Sequence, residues 1–150
     1  MEIATVRNAI IDQLKNDADI IALCGADAVD YGLGRQFPES LPALRIIQLG
    51  RDEEEEAESG DGDPFIWVNY RFHLGYIFEI QSDEDEKTVE DMESSADRVI
   101  RKALAKDYTL QNYAIDIALG RTFFRAIPEK NKYFVIIELS VRVLEQASIR

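Results

Sequence analysis

The sequence has little of what metal sites, disulfide-rich domains and membrane proteins depend on. Its 150 residues contain one cysteine, Cys24, and one histidine, His73. A single cysteine excludes an internal disulfide, and one residue of each type does not supply the ligands of a zinc cluster. No apolar run reaches the roughly 20 residues that span a membrane as a helix. The composition therefore indicates a globular protein with no metal, no cofactor and no membrane contact.

Basic residues are also scarce relative to acidic ones. There are 17 lysines and arginines against 29 aspartates and glutamates, which gives a formal net charge of -12. Tight general binding to nucleic acid needs neutralisation of phosphates by Lys and Arg, so this charge argues against it. It is nevertheless compatible with a surface past which DNA slides without sticking.

Motifs for catalysis are missing as well. A histidine-centred triad could use only His73, and no G-x-S-x-G elbow accompanies it. The "GLG" of residues 32–34 lacks the third glycine of a dinucleotide-binding loop, and no phosphate-binding lysine loop occurs. We therefore expect a protein that is not an enzyme and has no catalytic residues. On this interpretation His73 is a surface or contact residue and Cys24 is buried.

Two amphipathic helices are predicted from the spacing of apolar residues. The first covers about residues 3–16, and we expect a short helical turn after it in "DADIIALCG". The second lies in "SDEDEKTVEDMESSADRVIRKALAKD", where Ser82 or Asp83 suits the N-cap position. Arginines and lysines cluster near its C-terminal end, where the helix dipole favours positive charge.

Four strands complete the pattern. "ALRIIQLG" reads as a short strand, and "FIWVNYRFHLGYIFEI" is apolar or aromatic at every even position from Ile66 to Ile80. "YAIDIALGRTFFRAI" and "YFVIIELSVRVL", joined by "PEKNK", predict a closing hairpin. Residues 1–150 are thus expected to form a single α+β domain of order α-β-β-α-β-β. Its mainly antiparallel sheet comes from two β-hairpins, with helices packed on it.

An unusually acidic stretch, "DEEEEAESGDGDP", separates the first two strands. Its like charges and two glycines predict a flexible acidic loop over about residues 51–64. This loop is either a solvated segment that keeps the protein soluble, or one that orders or lines a surface only in an assembly. Its acidic residues are Asp52, Glu53, Glu54, Glu55, Glu56, Glu58, Asp61 and Asp63.

Apolar residues are too numerous for a sheet that is covered on one face only. They also occur at the alternate positions of the long strand and of the last strand, and "FF" at 123 and 124 must direct one ring to each face. Either the first helix or a neighbouring subunit covers this second face, and the pattern alone leaves both open. The candidate subunit contacts are Trp67, Ile77, Phe134 and Ile136.

Taken together, these elements resemble the tail terminator family, the tail-completion and head-tail joining proteins of long-tailed phages and related viruses. The resemblance covers "VRNAIIDQL", "LPALRIIQLG", "NYRFHLGYIFEI" with the helix start "SDEDEKTVEDM", and "IALGRTFFRAIPEKNKYFVIIELSVRVLE". Proteins of that family form rings, usually hexameric, that cap the tail tube and join it to the head. They also have a long loop in the first hairpin, which matches residues 51–64.

The resemblance implies a virion structural protein at the head-tail junction, assembled in the host cytoplasm. The implied partners are further copies of the chain in a hexamer, the tail tube protein, and a head-closure or connector protein. DNA would pass through the ring during ejection without specific binding. Two alternatives stay open: a head-closure or neck protein of the same assembly, and an acidic DNA-mimic inhibitor with a rigid phosphate-like array of charge.

Overall fold

Three helices and five strands make up the computed structural model, which describes residues 2–32, 40–57, 65–80, 86–110, 116–127 and 130–146. In chain order they are α1 (Ile3–Lys15), α2 (Ala18–Cys24), β1 (Val29–Tyr31), β2 (Ala43–Ala57), β3 (Phe65–Glu79), α3 (Glu86–Ala105), β4 (Asp116–Ile127) and β5 (Lys132–Gln146). A single 3-10 turn precedes β1. The predicted α+β class is confirmed. The short helical turn predicted in "DADIIALCG" is α2, and β1 is an additional strand.

The five strands form one mixed sheet in the order β1-β2-β3-β5-β4. The short strand β1 runs parallel to β2, whereas β2–β3, β3–β5 and β5–β4 are all antiparallel. The predicted mainly antiparallel sheet is therefore confirmed. Strands β3 and β5 pair along their whole length at its centre, from Phe65 opposite Gln146 to Glu79 opposite Lys132.

Helices cover one face of this sheet and form the core with it. The even-numbered residues of β3 point to that face, and those from Ile66 to Phe78 are at most 2% exposed. From the helices, Ile10 and Leu14 of α1 and Ile100 of α3 are fully buried in the same cluster. The alternation of β3 thus places every second side chain under the helices, as its period of two requires.

Strand β2 is longer than predicted, which corrects the position of the acidic loop. It continues to Ala57, so Asp52 and Glu53 pair with Asn69 and Val68 of β3 and do not lie in a loop. The same correction applies to Glu54, Glu55 and Glu56, which also lie on β2. Repulsion is weaker than expected because successive side chains of a strand point to opposite faces. Glu58, Asp61 and Asp63 lie outside the described residues.

A network of charged side chains fastens α3 to the edge strand β4. Arg101 pairs with Asp97 at 2.9 Å and donates to the Gly120 carbonyl at 2.7 Å. Thr122 accepts from Arg101 at 2.6 Å and donates to Asp97 at 2.6 Å. These bonds hold β4 where its register with β5 shifts, between Leu119 and Thr122.

We expect truncation of the core to destabilise the isolated chain. Ile100→Ala removes buried methyl groups beneath the sheet and should lower the free energy of unfolding by about 2–5 kcal/mol. Lys102→Ala, at an exposed position of the same helix, should change it by less than about 0.5 kcal/mol. Urea unfolding followed by circular dichroism measures both variants, and equal losses would contradict the placement of Ile100 in the core.

Candidate functional site

The sheet face turned away from the helices, here called the open face, holds the predicted contact residues. Period-two alternation assigns to it the odd-numbered residues of β3 and the residues of β5 opposite them. In register, Ile77 lies opposite Phe134, Gly75 opposite Ile136, and Trp67 opposite Leu144. The buried residues of all three helices belong to the core on the other face. Within the described part of the chain, the helices therefore leave the open face to other contacts.

One end of the open face is apolar. Ile77 is 8% exposed, while Phe134 and Ile136 beside it are half-buried. The β4 residue opposite Ile136 is Phe123, whose ring meets His73 edge-on with the centroids 5.8 Å apart. Aromatic and branched apolar side chains therefore form the surface at this end of the open face.

His73 is uncharged at neutral pH in this setting. Burial is the main cause that lowers the pKa of its imidazole, and the positive charges of Arg125 and Arg71 lower it further. The carboxylate of Glu138 acts in the opposite sense without reversing the shift. A neutral ring beside Phe123 extends the apolar end of the open face and adds no charge to it.

The other end of the open face is polar and centred on Glu54. Its carboxylate accepts from Asn69 Nδ2 at 2.6 Å and from Arg142 Nη2 at 3.0 Å. The guanidinium of Arg142 also lies 4.0 Å from the centre of the Trp67 ring, within cation–π range. The hydrogen bond from Asn69, and then the charge of Arg142, lower the pKa of Glu54. Glu54 is therefore ionised, with its charge balanced within the sheet.

The neighbouring acidic residues of β2 are paired in the same way. Asp52 lies 3.0 Å from Arg71 on the open face, and Glu53 lies 2.8 Å from Arg51. Exposed pairs of this kind contribute about 0–1 kcal/mol each to stability. Their main effect is on the electrostatic field of the protein. In the sequence Asp52, Glu53 and Glu54 look like unbalanced negative charges, but in the structure an arginine pairs with each of them.

A buried carboxylate joins the three central strands near the polar end. Glu145 of β5 has a side chain that is 5% exposed and accepts hydrogen bonds from the Tyr70 hydroxyl and from Arg51, the latter at 3.1 Å. Burial is the largest single influence on the pKa of Glu145 and raises it, but the bond from the Tyr70 hydroxyl and further interactions, among them the bond from Arg51, together lower the pKa. Burial, followed by the bond to Glu145, raises the pKa of Tyr70 to about 12.

The structure brings together only part of the predicted contact set. Ile77, Phe134 and Ile136 lie side by side at the apolar end, while Trp67 stands apart at the polar end. Ile77 is already buried within one chain, so it offers little surface to another. That these residues contact a neighbouring subunit stays a prediction. The predicted contact set does not include Leu49 of β2 or Phe124 of β4, which are 47% and 51% exposed.

Two further predictions concern reactive groups and membrane segments. Cys24 is half-buried, and burial raises the pKa of its thiol. No three His, Cys, Asp or Glu side chains in the described ranges lie close enough together to bind a metal ion. Among the helices the structure describes, none has the length and apolar character to cross a membrane.

Comparison with known proteins gives a likeness in fold but none in sequence. No protein-family model matches this chain, and no curated protein matches it in sequence. A chain from the solved structure of the virion of a native gene transfer agent particle is similar to it, with a TM-score of 0.51 and 14% identity. The similarity covers 93% of this chain and 94% of that one. At this identity the likeness shows a shared fold, and the coverage extends that fold over nearly all of both chains.

Loss of the Glu145 carboxylate should make stability depend less on pH. A lowered folded-state pKa means that the carboxylate stabilises the fold at neutral pH, and that this stabilisation is lost as the pH falls through the lowered pKa. Glu145→Gln should therefore reduce the free energy of unfolding by about 1–3 kcal/mol at neutral pH. The difference from the wild type should shrink as the solution is acidified.

Glu138→Gln is the matched control for this measurement. Glu138 lies on the same strand, but its side chain is 39% exposed and its partner Arg121 is 3.5 Å away. Its loss should cost less than about 1 kcal/mol. Denaturant unfolding at several pH values compares the two variants. A pH-independent loss for Glu145→Gln would show that its charge is not what stabilises the strands.

Proposed function

We propose that the protein is a virion structural protein that forms a ring at the end of the tail tube and joins the tail to the head, with DNA passing through the ring. The observation that carries this proposal is the likeness of fold to a chain of a virion particle, over 93% of this chain and 94% of that one. The resemblance of its element order to tail terminator proteins supports the more specific role. The protein would act through contacts with other chains, not as an enzyme.

The uncovered apolar side chains support assembly with other chains. Monomeric soluble proteins rarely expose large contiguous apolar patches, and such patches commonly mark contact surfaces. Phe123, Phe134 and Ile136 are half-buried at the apolar end of the open face, and Trp67 is half-buried at the polar end. Another chain of the assembly would bury their remaining surface. The tail tube protein and a head-closure or connector protein are the other partners of this proposal.

The net charge of -12 supports passage of DNA without specific binding. At physiological salt, exposed charges act over a Debye length of about 8 Å, so acidic residues near a channel would repel phosphates at short range. Asp52, Glu53 and Glu54 contribute less to this effect than their number suggests, because arginines pair with them. Those pairs also weigh against the DNA-mimic alternative, which needs unbalanced acidic charge. We place the protein in the virion, at the head-tail junction, after assembly in the host cytoplasm.

Native mass spectrometry and negative-stain electron microscopy test the proposed ring. At high protein concentration with tail tubes present, we expect closed rings, usually of six copies, attached to tube ends. The head-closure alternative predicts binding to heads without tubes. A chain that stays monomeric at every concentration and binds neither tubes nor heads would overturn the proposed function.

Alanine variants test the contact residues. Trp67→Ala, Phe134→Ala and Ile136→Ala should leave the isolated chain folded, and at least two of them should weaken assembly, because they remove contact surface outside the core. Phe72→Ala is the control, since Phe72 is fully buried under the helices and its loss should cost about 3–5 kcal/mol. Thermal unfolding and sedimentation separate the two effects. If all three open-face variants unfold the isolated chain, their assignment as contacts is wrong.

A further inference from the structure

Among the strands that the structure describes, none lies beside either edge of the sheet over most of its length. On one side, β1 pairs with β2 only at residues 44–46, so no described strand lies beside the outer side of β2 over residues 47–57. On the other side, β5 is the one described strand that pairs with the 12 residues of β4. An exposed edge carries backbone donors and acceptors that another strand can bind.

The directions of these two edges suit each other. Three successive antiparallel pairings, β2–β3, β3–β5 and β5–β4, make β4 antiparallel to β2. Rotation about an axis roughly along the strands preserves strand direction from one copy to the next. The β4 strand of one copy therefore meets the β2 strand of the next in antiparallel orientation, which allows a regular ladder of backbone hydrogen bonds.

Each edge also presents one large exposed apolar side chain. Leu49 on β2 is 47% exposed, and Phe124 on β4 is 51% exposed. Leu49 lies at the register shift between Gln48 and Gly50, and a second shift lies between Glu53 and Glu56, so regular pairing on this edge would cover residues 50–53. Single exposed apolar residues are ordinary on a surface. Their position on the two edges without partner strands is what indicates contact with another chain.

The charges of the two edges have opposite sign. Residues 47–57 of β2 include five acidic residues. Arg51, Arg71 and Arg142 pair with three of them, Glu53, Asp52 and Glu54, so two acidic charges are left in excess on this edge. Strand β4 includes two basic residues, Arg121 and Arg125, and one acidic residue, Asp116, at its start. Arg121 lies 3.5 Å from Glu138, yet its side chain is 73% exposed. Arg125 is also exposed, and no carboxylate of the described chain lies at ion-pair distance from it. Opposite charges favour β2 against β4, whereas two copies of the same edge would repel each other.

We propose that the outer side of β2 in one copy pairs with β4 of the next, so that the sheet continues from subunit to subunit. This inference rests on the proposed function and adds to it the surfaces through which copies join. The contact uses two different surfaces of one chain, and such head-to-tail contacts form rings when the rotation closes. A strand added at an edge covers neither face, so the open face remains available for the contacts proposed above.

Two edge variants test this pairing. Arg121→Glu with Arg125→Glu makes the β4 edge acidic and leaves β2 unchanged. Leu49→Glu removes the apolar side chain from the β2 edge and leaves β4 unchanged. The matched controls are Arg98→Glu with Lys102→Glu, which makes the same charge change on exposed positions of α3, and Ile21→Glu, at a residue of α2 that is also 47% exposed. Circular dichroism and thermal unfolding establish that all four proteins are folded.

The expected results differ for single and mixed variants. Under conditions in which the wild type forms rings, each edge variant alone should stay monomeric, and each control should assemble as the wild type does. A mixture of the two edge variants should stop at a 1:1 dimer, because only one intact β2 edge and one intact β4 edge can meet. Native mass spectrometry distinguishes the two chains by mass.

Three outcomes would overturn the pairing: rings from either edge variant alone, a same-chain dimer of either one, or a mixture that stays monomeric. These outcomes are separate from failure of the proposed function. If the wild type forms rings on tubes and both edge variants do too, only the edge pairing is wrong. If the wild type never assembles, the ring and the pairing are both wrong.

Discussion

The structure depends on one constraint: the helices cover a single face of a sheet whose three inner strands each have 15 residues. Burial of the even-numbered residues of β3 beneath α1 and α3 supplies the core and orients every other side chain of that strand outward. The side chains of the odd-numbered residues and the backbone groups of the two edge strands then need partners other than the helices. Polar pairs within the chain supply them at one end, and contacts with other chains are the proposed solution elsewhere.

The two ends of the open face meet this requirement differently. At the polar end, Glu54 is held by Asn69 and Arg142, and Asp52 by Arg71, so the strands neutralise one another's charges. At the apolar end, Phe134 and Ile136 keep part of their surface exposed, and the nearby His73 is uncharged because burial lowers its pKa. The charges of the polar end are paired within the chain, whereas the apolar end leaves apolar surface exposed. This combination is consistent with a protein that folds alone and works in an assembly.

The sequence predicted those elements whose signal is local. The alternation of β3 and the apolar stripe of α3 each repeat with one period over many residues, so they identified a strand and a helix correctly. Strand β2 was predicted too short because the residues that stabilise its acidic half, such as Arg71 and Arg142, lie far away along the chain. The short strand β1 has too few residues to show a period, and it depends on pairing with residues 44–46. The exposure of Leu49 and Phe124 follows from the strand order β1-β2-β3-β5-β4, which no local pattern encodes.

The central claim is that other copies of the chain complete this sheet. Hydrogen–deuterium exchange, compared between the dilute monomer and the assembled form, tests it most directly because it reports on the protection of individual backbone amides. The account predicts that amides in residues 47–57 and in β4 exchange more slowly after assembly, while those of α3 are unchanged. Protection confined to the helices, or equal exchange at both edges in the two forms, would contradict it.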